Sequence, residues 1–199
     1  MRKIPTLFVR DPGDLRHVLP EVTPGCEWVL AGEGVARRQY DGTCVMVDED
    51  GDWWARREVK PGKTPPPGWK EIERDPVTGK SVGWEPAEQT GWWKWLQRDH
   101  DSEDLFQPGT YEACGPKING NPEGFGQHTL IRHADAQQLH AVDRALTLAA
   151  GAPVIEIRDF LAILLTTLHG PGGRVPAFEG IVWHHPDGRM AKLKARDFK

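Results

Sequence analysis

The stretch GEGVARRQYDGTCVMV, residues 32–47, has the grammar of a strand that enters a tight Asp-Gly turn and leaves as a second, apolar strand. Around it, residues 27–60 read EWVLAGEGVARRQYDGTCVMVDEDGDWWARREVK, with apolar runs broken at Gly or Asp-Gly. That pattern predicts consecutive antiparallel strands, with Asp50-Gly51 at a hairpin turn.

Upstream, Pro5, Pro12, Pro20 and Pro24 interrupt a mixed polar and apolar segment, which predicts a short strand followed by loops. Downstream, residues 61–92 are rich in Pro and Gly and too long for an idle loop. They are expected to form a functional surface loop or an ordered insertion held by its tryptophans. TYEACGPKINGNP, residues 110–122, reads as a strand ending in turns. DAQQLHAVDRALTLAA, residues 135–150, has helical spacing with Asp135 placed to cap it. VIEIRDFLAILLTTLHG, residues 154–170, predicts a few strand residues leading into a second helix that stops at Gly170. The end of the chain, FEGIVWHHPDGRMAKLKARDF, predicts two strands joined by Pro186-Asp187-Gly188. Strands mixed with two helices, without βαβ alternation, define an α+β class with antiparallel sheets.

The 199 residues suit one domain, which buries roughly 70% of its unfolded surface without disulfide staples. Cys26, Cys44 and Cys114 are odd in number and form no CxxC pair. Reduced thiols in a cytoplasmic protein are expected, and a structural zinc site is not. No apolar run approaches the 18 or so residues of a membrane span, so a soluble chain is expected. A net charge of -4 argues against nonspecific coating of nucleic acid. That average conceals two basic clusters: Arg56, Arg57, Lys60 and Lys63, and Arg189, Lys192, Lys194, Arg196 and Lys199.

From Gln39 the chain offers, in order, the Tyr40-Asp41-Gly42 turn, Arg56-Arg57, Tyr111-Glu112, Glu179-Gly180-Ile181-Val182, and Lys192-Leu193-Lys194. That succession resembles motifs I, Ia, III, IV and V of the covalent nucleotidyltransferases: DNA and RNA ligases and mRNA capping enzymes. The match departs at Gln39, where motif I carries its nucleophilic lysine. Longer stretches, KIPTLFVRD, RREVKPGKTPPPGW and YEACGPKINGNP, are similar to single-domain ATP-dependent RNA ligases. The resemblance runs over nearly the whole chain. It implies a nucleotidyltransferase fold in a single domain spanning 1–199, with the insertion at about 61–92 and no OB domain.

The resemblance also implies roles. Glu112 would contact the ribose, Arg56 or Arg57 the ribose or phosphate, and Glu179 a Mg²⁺ or Mn²⁺ ion. Lys192 and Lys194 would supply positive charge at the α-phosphate, with one of the two expected to face it. Gly42 would let the backbone approach the nucleotide, and Asp41 would hold the turn. Phe125 and Ile181 are candidate walls for adenine, and Lys60 and Lys117 candidate contacts to triphosphate or RNA. Each of these four has an ordinary alternative as core or as an exposed lysine. Carboxylates and lysines suit such chemistry because phosphate charge needs cations and ribose hydroxyls need acceptors.

A glutamine amide has no nucleophilic lone pair, so Gln39 removes the lysyl-AMP step. Two accounts follow: a nucleophile-substituted form of an active ligase, favoured by the otherwise intact constellation, or a natural noncatalytic nucleotide- or RNA-binding pseudoenzyme. The expected partners are ATP and RNA with 5′-phosphate and 3′-hydroxyl ends. Trp53-Trp54 and Trp92-Trp93-Trp95 could stack bases, but pinning the long loops to the sheet is the stronger reading. The pair His184-His185 alternates across a strand. His128, His133 and His140 are read as surface or hydrogen-bonded histidines rather than metal ligands.

Overall fold

A computed structural model describes residues 1–99, 106–169 and 178–198. Its strands run β1 (Phe8–Arg10), β2 (Val18–Val22), β3 (Val35–Gln39), β4 (Thr43–Val47), β5 (Trp53–Val59), β6 (Lys70–Arg74) and β7 (Ser81–Pro86). They continue as β8 (Gly109–Cys114), β9 (Thr129–Arg132), β10 (Gly180–His184) and β11 (Met190–Lys194). The helices are α1 (Glu27–Leu30), α2 (Trp93–Asp99), α3 (His140–Leu148) and α4 (Val154–His169). Every paired strand is antiparallel. The fold is thus mixed, with antiparallel sheets and few helices. Among the described residues, no helix is long and apolar enough to cross a membrane.

The chain divides into two compact units, and the division falls inside the opening motif: Ile4–Tyr40 with Ala136–Lys199, and Met1–Lys3 with Asp41–Asp135. In the first unit, β3, β10 and β11 form a three-stranded sheet with β10 in the centre, and β1 and β2 pair separately. Alternation sends Ile181, Trp183, Ala191 and Leu193 into a core shared with Val142 and Leu146 of α3 and Ile157, Leu161 and Leu165 of α4.

Both predicted helices exist with corrected boundaries. The first begins at His140, and Asp135 does not cap it but lies in a separate short 3-10 turn. The intervening backbone is taken by the edge of β3. Arg38 donates its amide to the Gln137 carbonyl at 2.8 Å, and Leu139 donates to Ala36 at 2.8 Å. The strand expected from Val154 is absent, because helix starts there directly. Pro153 precedes it and accepts the amides of Glu156 and Ile157. The buried i, i+4, i+8 set of Ile157, Leu161 and Leu165 outweighs the β-branched start. The expected stop at Gly170 lies outside the described residues.

In the second unit the six strands run in the order β6-β7-β5-β4-β8-β9. Val45, Val47, Tyr111, Ala113, Leu96 and Ile118 form its core, rimmed by Trp53, Trp92, Trp93 and Phe106. The Pro-rich stretch is ordered: it supplies β6 and β7, and β7 pairs with β5 from Trp54↔Pro86 to Val59↔Ser81. Gly83 makes this possible, because a Cβ there would lie 2.3 Å from the Lys70 carbonyl oxygen and 2.6 Å from the Trp69 ring. Of the paired tryptophans, Trp54 reaches this stretch through Lys70, and Trp53, Trp92 and Trp93 line the rim of the core. Trp53 packs 5.5 Å from Trp93 and 5.2 Å from Phe106, while Trp54 donates to Asp48 at 2.7 Å and carries the Lys70 ammonium 3.6 Å over its ring.

Candidate functional site

In the unit built on β3, β10 and β11, the register sets three motif positions in one row. Gly180 lies opposite Gln39 on one side and opposite Lys194 on the other. Glu179, just before β10, is ion-paired with Lys194, and the two side chains are 15% and 13% exposed. Lys192 and Lys194 stand two residues apart, so both side chains take the face opposite buried Ala191 and Leu193. The expectation that one of them would face the site is therefore replaced by two on one side. Gln39 Oε1 is buried and, among the described residues, accepts no hydrogen bond. Ile181 is fully enclosed in the core, which makes it packing rather than an open wall.

Two residues that the sequence reading passed over position this row. Asp197 is 1% exposed, accepts the Lys194 amide at 2.8 Å and pairs with Arg10 at 2.8 Å, so a buried carboxylate fixes the end of β11. The Arg38 guanidinium lies 4.6 Å from the Tyr40 ring centroid and 5.6 Å from that of Phe178, which ties the motif tyrosine to the strand before it.

In the other unit, the Asp41-Gly42 turn is held by carboxylates. The Asp41 amide donates to Glu123 Oε1 at 2.8 Å, and the Gly42 amide donates to Glu112 Oε1 at 3.1 Å. Asn119 Nδ2 donates to the Gly42 carbonyl. Glycine at 42 is required by the sheet itself: a Cβ would sit 2.2 Å from the Ala113 carbonyl oxygen. The carboxylate that closes the turn at Asp41 thus belongs to Glu123, which is 5% exposed. Asn119 and Asn121 have φ of 47° and 58°, left-handed positions that asparagine tolerates, and the NGN run was the sequence signal for this loop.

Cys44 and Glu112 are cross-strand partners on the face of the sheet away from the core. The pairs Val45↔Ala55 and Met46↔Trp54 extend to bring Arg56 opposite Cys44. Arg56 therefore shares the Glu112 face, while Arg57 turns away and binds Glu85 at 2.8 Å. Of the two arginines left open by the sequence, Arg56 is the one beside Glu112. Phe125 is half-buried in the loop closed by Asn121, whose side chain bonds both its amide and its carbonyl. Lys60 and Lys117 are exposed, and the Lys117 ammonium lies 5.9 Å from the Trp95 ring.

The histidines separate. His140 is exposed and His128 buried, and His185 contacts Glu33 at 3.1 Å and Asp187 at 2.8 Å. His133 is half-buried and hydrogen-bonded through both ring nitrogens. Its Nε2 lies 3.1 Å from Glu112 Oε2 and its Nδ1 lies 2.9 Å from Thr110 Oγ1. Cys44, Glu112 and His133 present ligand atoms within 4.8 Å of one another. Positions 44, 112 and 133 are too far apart in the chain to form a spacing motif, so only the sheet brings them together. Burial, reinforced by the Glu112 charge, pushes the Cys44 thiol up to about 12.

No protein-family model matches this chain, and no curated protein is similar to it at a significant level.

Proposed function

We propose that this chain is an ATP-dependent RNA ligase domain of nucleotidyltransferase fold, with the nucleophile position occupied by Gln39. The observation that carries the reading is the row Gln39, Gly180 and Lys194, with Glu179 paired to Lys194. Residues far apart in sequence, resembling three motifs of one superfamily, converge at the same end of one sheet. A second observation supports it: Glu112 and Arg56 share a face beside the Asp41-Gly42 turn.

In the lysine-bearing form, the ε-amine attacks the α-phosphorus of ATP, the P–O bond to pyrophosphate breaks, and AMP is held by a phosphoramide bond. AMP then passes to an RNA 5′-phosphate, and a 3′-hydroxyl displaces it to form the phosphodiester. Lys192 and Lys194 supply positive charge along this path. Glu179 suits Mg²⁺ or Mn²⁺, because a single carboxylate completed by substrate phosphates is an ordinary ligand set; the ion would neutralise phosphate charge. In the present chain the first step is lost, while sealing of RNA that already carries a 5′-adenylate remains open to it. Three free cysteines suit a reducing, cytoplasmic setting.

The test is Gln39→Lys incubated with ATP radiolabelled at the α-phosphate and Mg²⁺ or Mn²⁺. Covalent label is expected, and its absence with either metal would sink the ligase reading. Gln39 itself favours a second reading, a noncatalytic nucleotide-binding module; ATP affinity without label in Gln39→Lys would select it.

A further inference from the structure

We propose that Cys44, Glu112 and His133 form a three-ligand transition-metal site, with zinc the ion it suits best. The site lies within one compact unit and stands on its own geometry, whether or not the nucleotide reading holds.

The sheet builds it. Cys44 on β4 and Glu112 on β8 are direct cross-strand partners and share one face, and His133 follows immediately after β9. Their ligand atoms all lie within 4.8 Å of one another. Tetrahedral zinc with its usual bond lengths needs ligand atoms roughly 3.3–3.8 Å apart, so small side-chain rotations close the site.

The remaining polar atoms already do what second-shell partners do at metal centres. Glu112 Oε1 is held by the Gly42 amide at 3.1 Å, which leaves Oε2 toward His133. His133 Nδ1 lies 2.9 Å from Thr110 Oγ1; when Nδ1–H donates there, the Nε2 lone pair points at Glu112 Oε2, 3.1 Å away. In that tautomer Nε2 and Oε2 both offer lone pairs to one ion.

The donor set chooses the ion. A thiolate with an imidazole favours zinc, or cobalt as its probe, over magnesium and calcium, which take oxygen. Cys44 binds as the thiolate and releases its proton to solvent, so a dication meets two negative ligands and one neutral one. Three protein ligands leave a fourth position for water or an exogenous donor. Because Glu112 is also the proposed ribose contact, zinc and nucleotide would compete for one carboxylate.

The experiment titrates metal-stripped, reduced protein with Co²⁺ in the absence of nucleotide. Expected are a near-ultraviolet thiolate-to-cobalt charge-transfer band and visible d–d bands of tetrahedral intensity, saturating at one equivalent and erased by Zn²⁺. Cys44→Ser should abolish the charge-transfer band, Cys114→Ser should retain it, and Thr110→Val should weaken binding about tenfold. His133→Gln provides an independent ligand loss, and circular dichroism checks that each variant folds. Absence of the band at saturating Co²⁺, or its survival in Cys44→Ser, overturns the proposal. Labelling of Gln39→Lys by ATP is a separate readout, so failure of one reading is distinguishable from failure of the other.

Discussion

Gln39 and Gly180 face each other directly across β3 and β10, at a point where the central strand has no room for a side chain. A Cβ on Gly180 would lie 2.3 Å from the Leu193 carbonyl oxygen and 2.9 Å from Lys194 Cα. Gly180→Ala is therefore expected to force β10 and β11 apart and to lower stability by about 1–3 kcal/mol in urea denaturation. An unchanged midpoint would mean that the two strands separate freely there.

The orphaned acceptor on Gln39 leads to a second test. A buried carbonyl without a donor costs about 1–3 kcal/mol relative to its solvated state. Methionine has similar length and no such acceptor, so Gln39→Met should raise stability by about 1 kcal/mol. A loss of stability would show that Gln39 Oε1 finds a partner in solution.

Some of this molecule was legible from its residues, for reasons that can be named. The Asp50-Gly51 and Pro186-Asp187-Gly188 turns declared their hairpins, because Gly51 and Gly188 take φ of 85° and 90°. In the apolar run of β4 the sequence did not tell buried Val45 and Val47 from Cys44 and Met46; sheet pairing decides it. The 61–92 stretch hid its strands, because β7 carries Gly83 and ends at Pro86, and its partners are supplied by β5 and β6. The start of α3 was misplaced because residues 137–139 bond to β3, a competition that no local pattern records. The supports of the Asp41-Gly42 turn, Glu123 and Asn119, lie about eighty residues downstream, and Glu112, His133 and Cys44 meet only through sheet pairing.

Glu123 carries a third expectation. Its buried carboxylate accepts the Asp41 amide at 2.8 Å, so truncation leaves a backbone donor without its charged partner. Glu123→Ala should cost about 1.5–3 kcal/mol, with Glu123→Gln recovering part of it because an acceptor oxygen remains. Equal losses for both variants would point to the charge rather than the bond.

The β10–β11 hairpin has a pH signature. The Arg189 backbone amide, then its guanidinium and the His185 ring, hold the Asp187 carboxyl down to about 2 from 3.8. A depressed carboxyl contributes stability above its unfolded pKa and loses it as pH falls through the folded value. The Tm difference between the parent and Asp187→Asn should therefore be constant above about pH 5 and close between about pH 4 and pH 2. A gap that persists at pH 2 would place its origin in packing instead.

Arg56 and Arg57 are adjacent in sequence and should separate cleanly by experiment. Arg57 pairs with Glu85, whose side chain is 7% exposed, while Arg57 itself is 52% exposed. Removing Arg57 strands a buried carboxylate, but solvent reaches the pair from the arginine side. Arg57→Ala should therefore cost only about 1 kcal/mol, with ATP affinity unchanged. Arg56 shares the face of Cys44 and Glu112, so Arg56→Ala should leave stability within about 0.5 kcal/mol and weaken ATP binding about tenfold by calorimetry. If the two variants exchange these effects, the strand face assigned to the nucleotide is the wrong one.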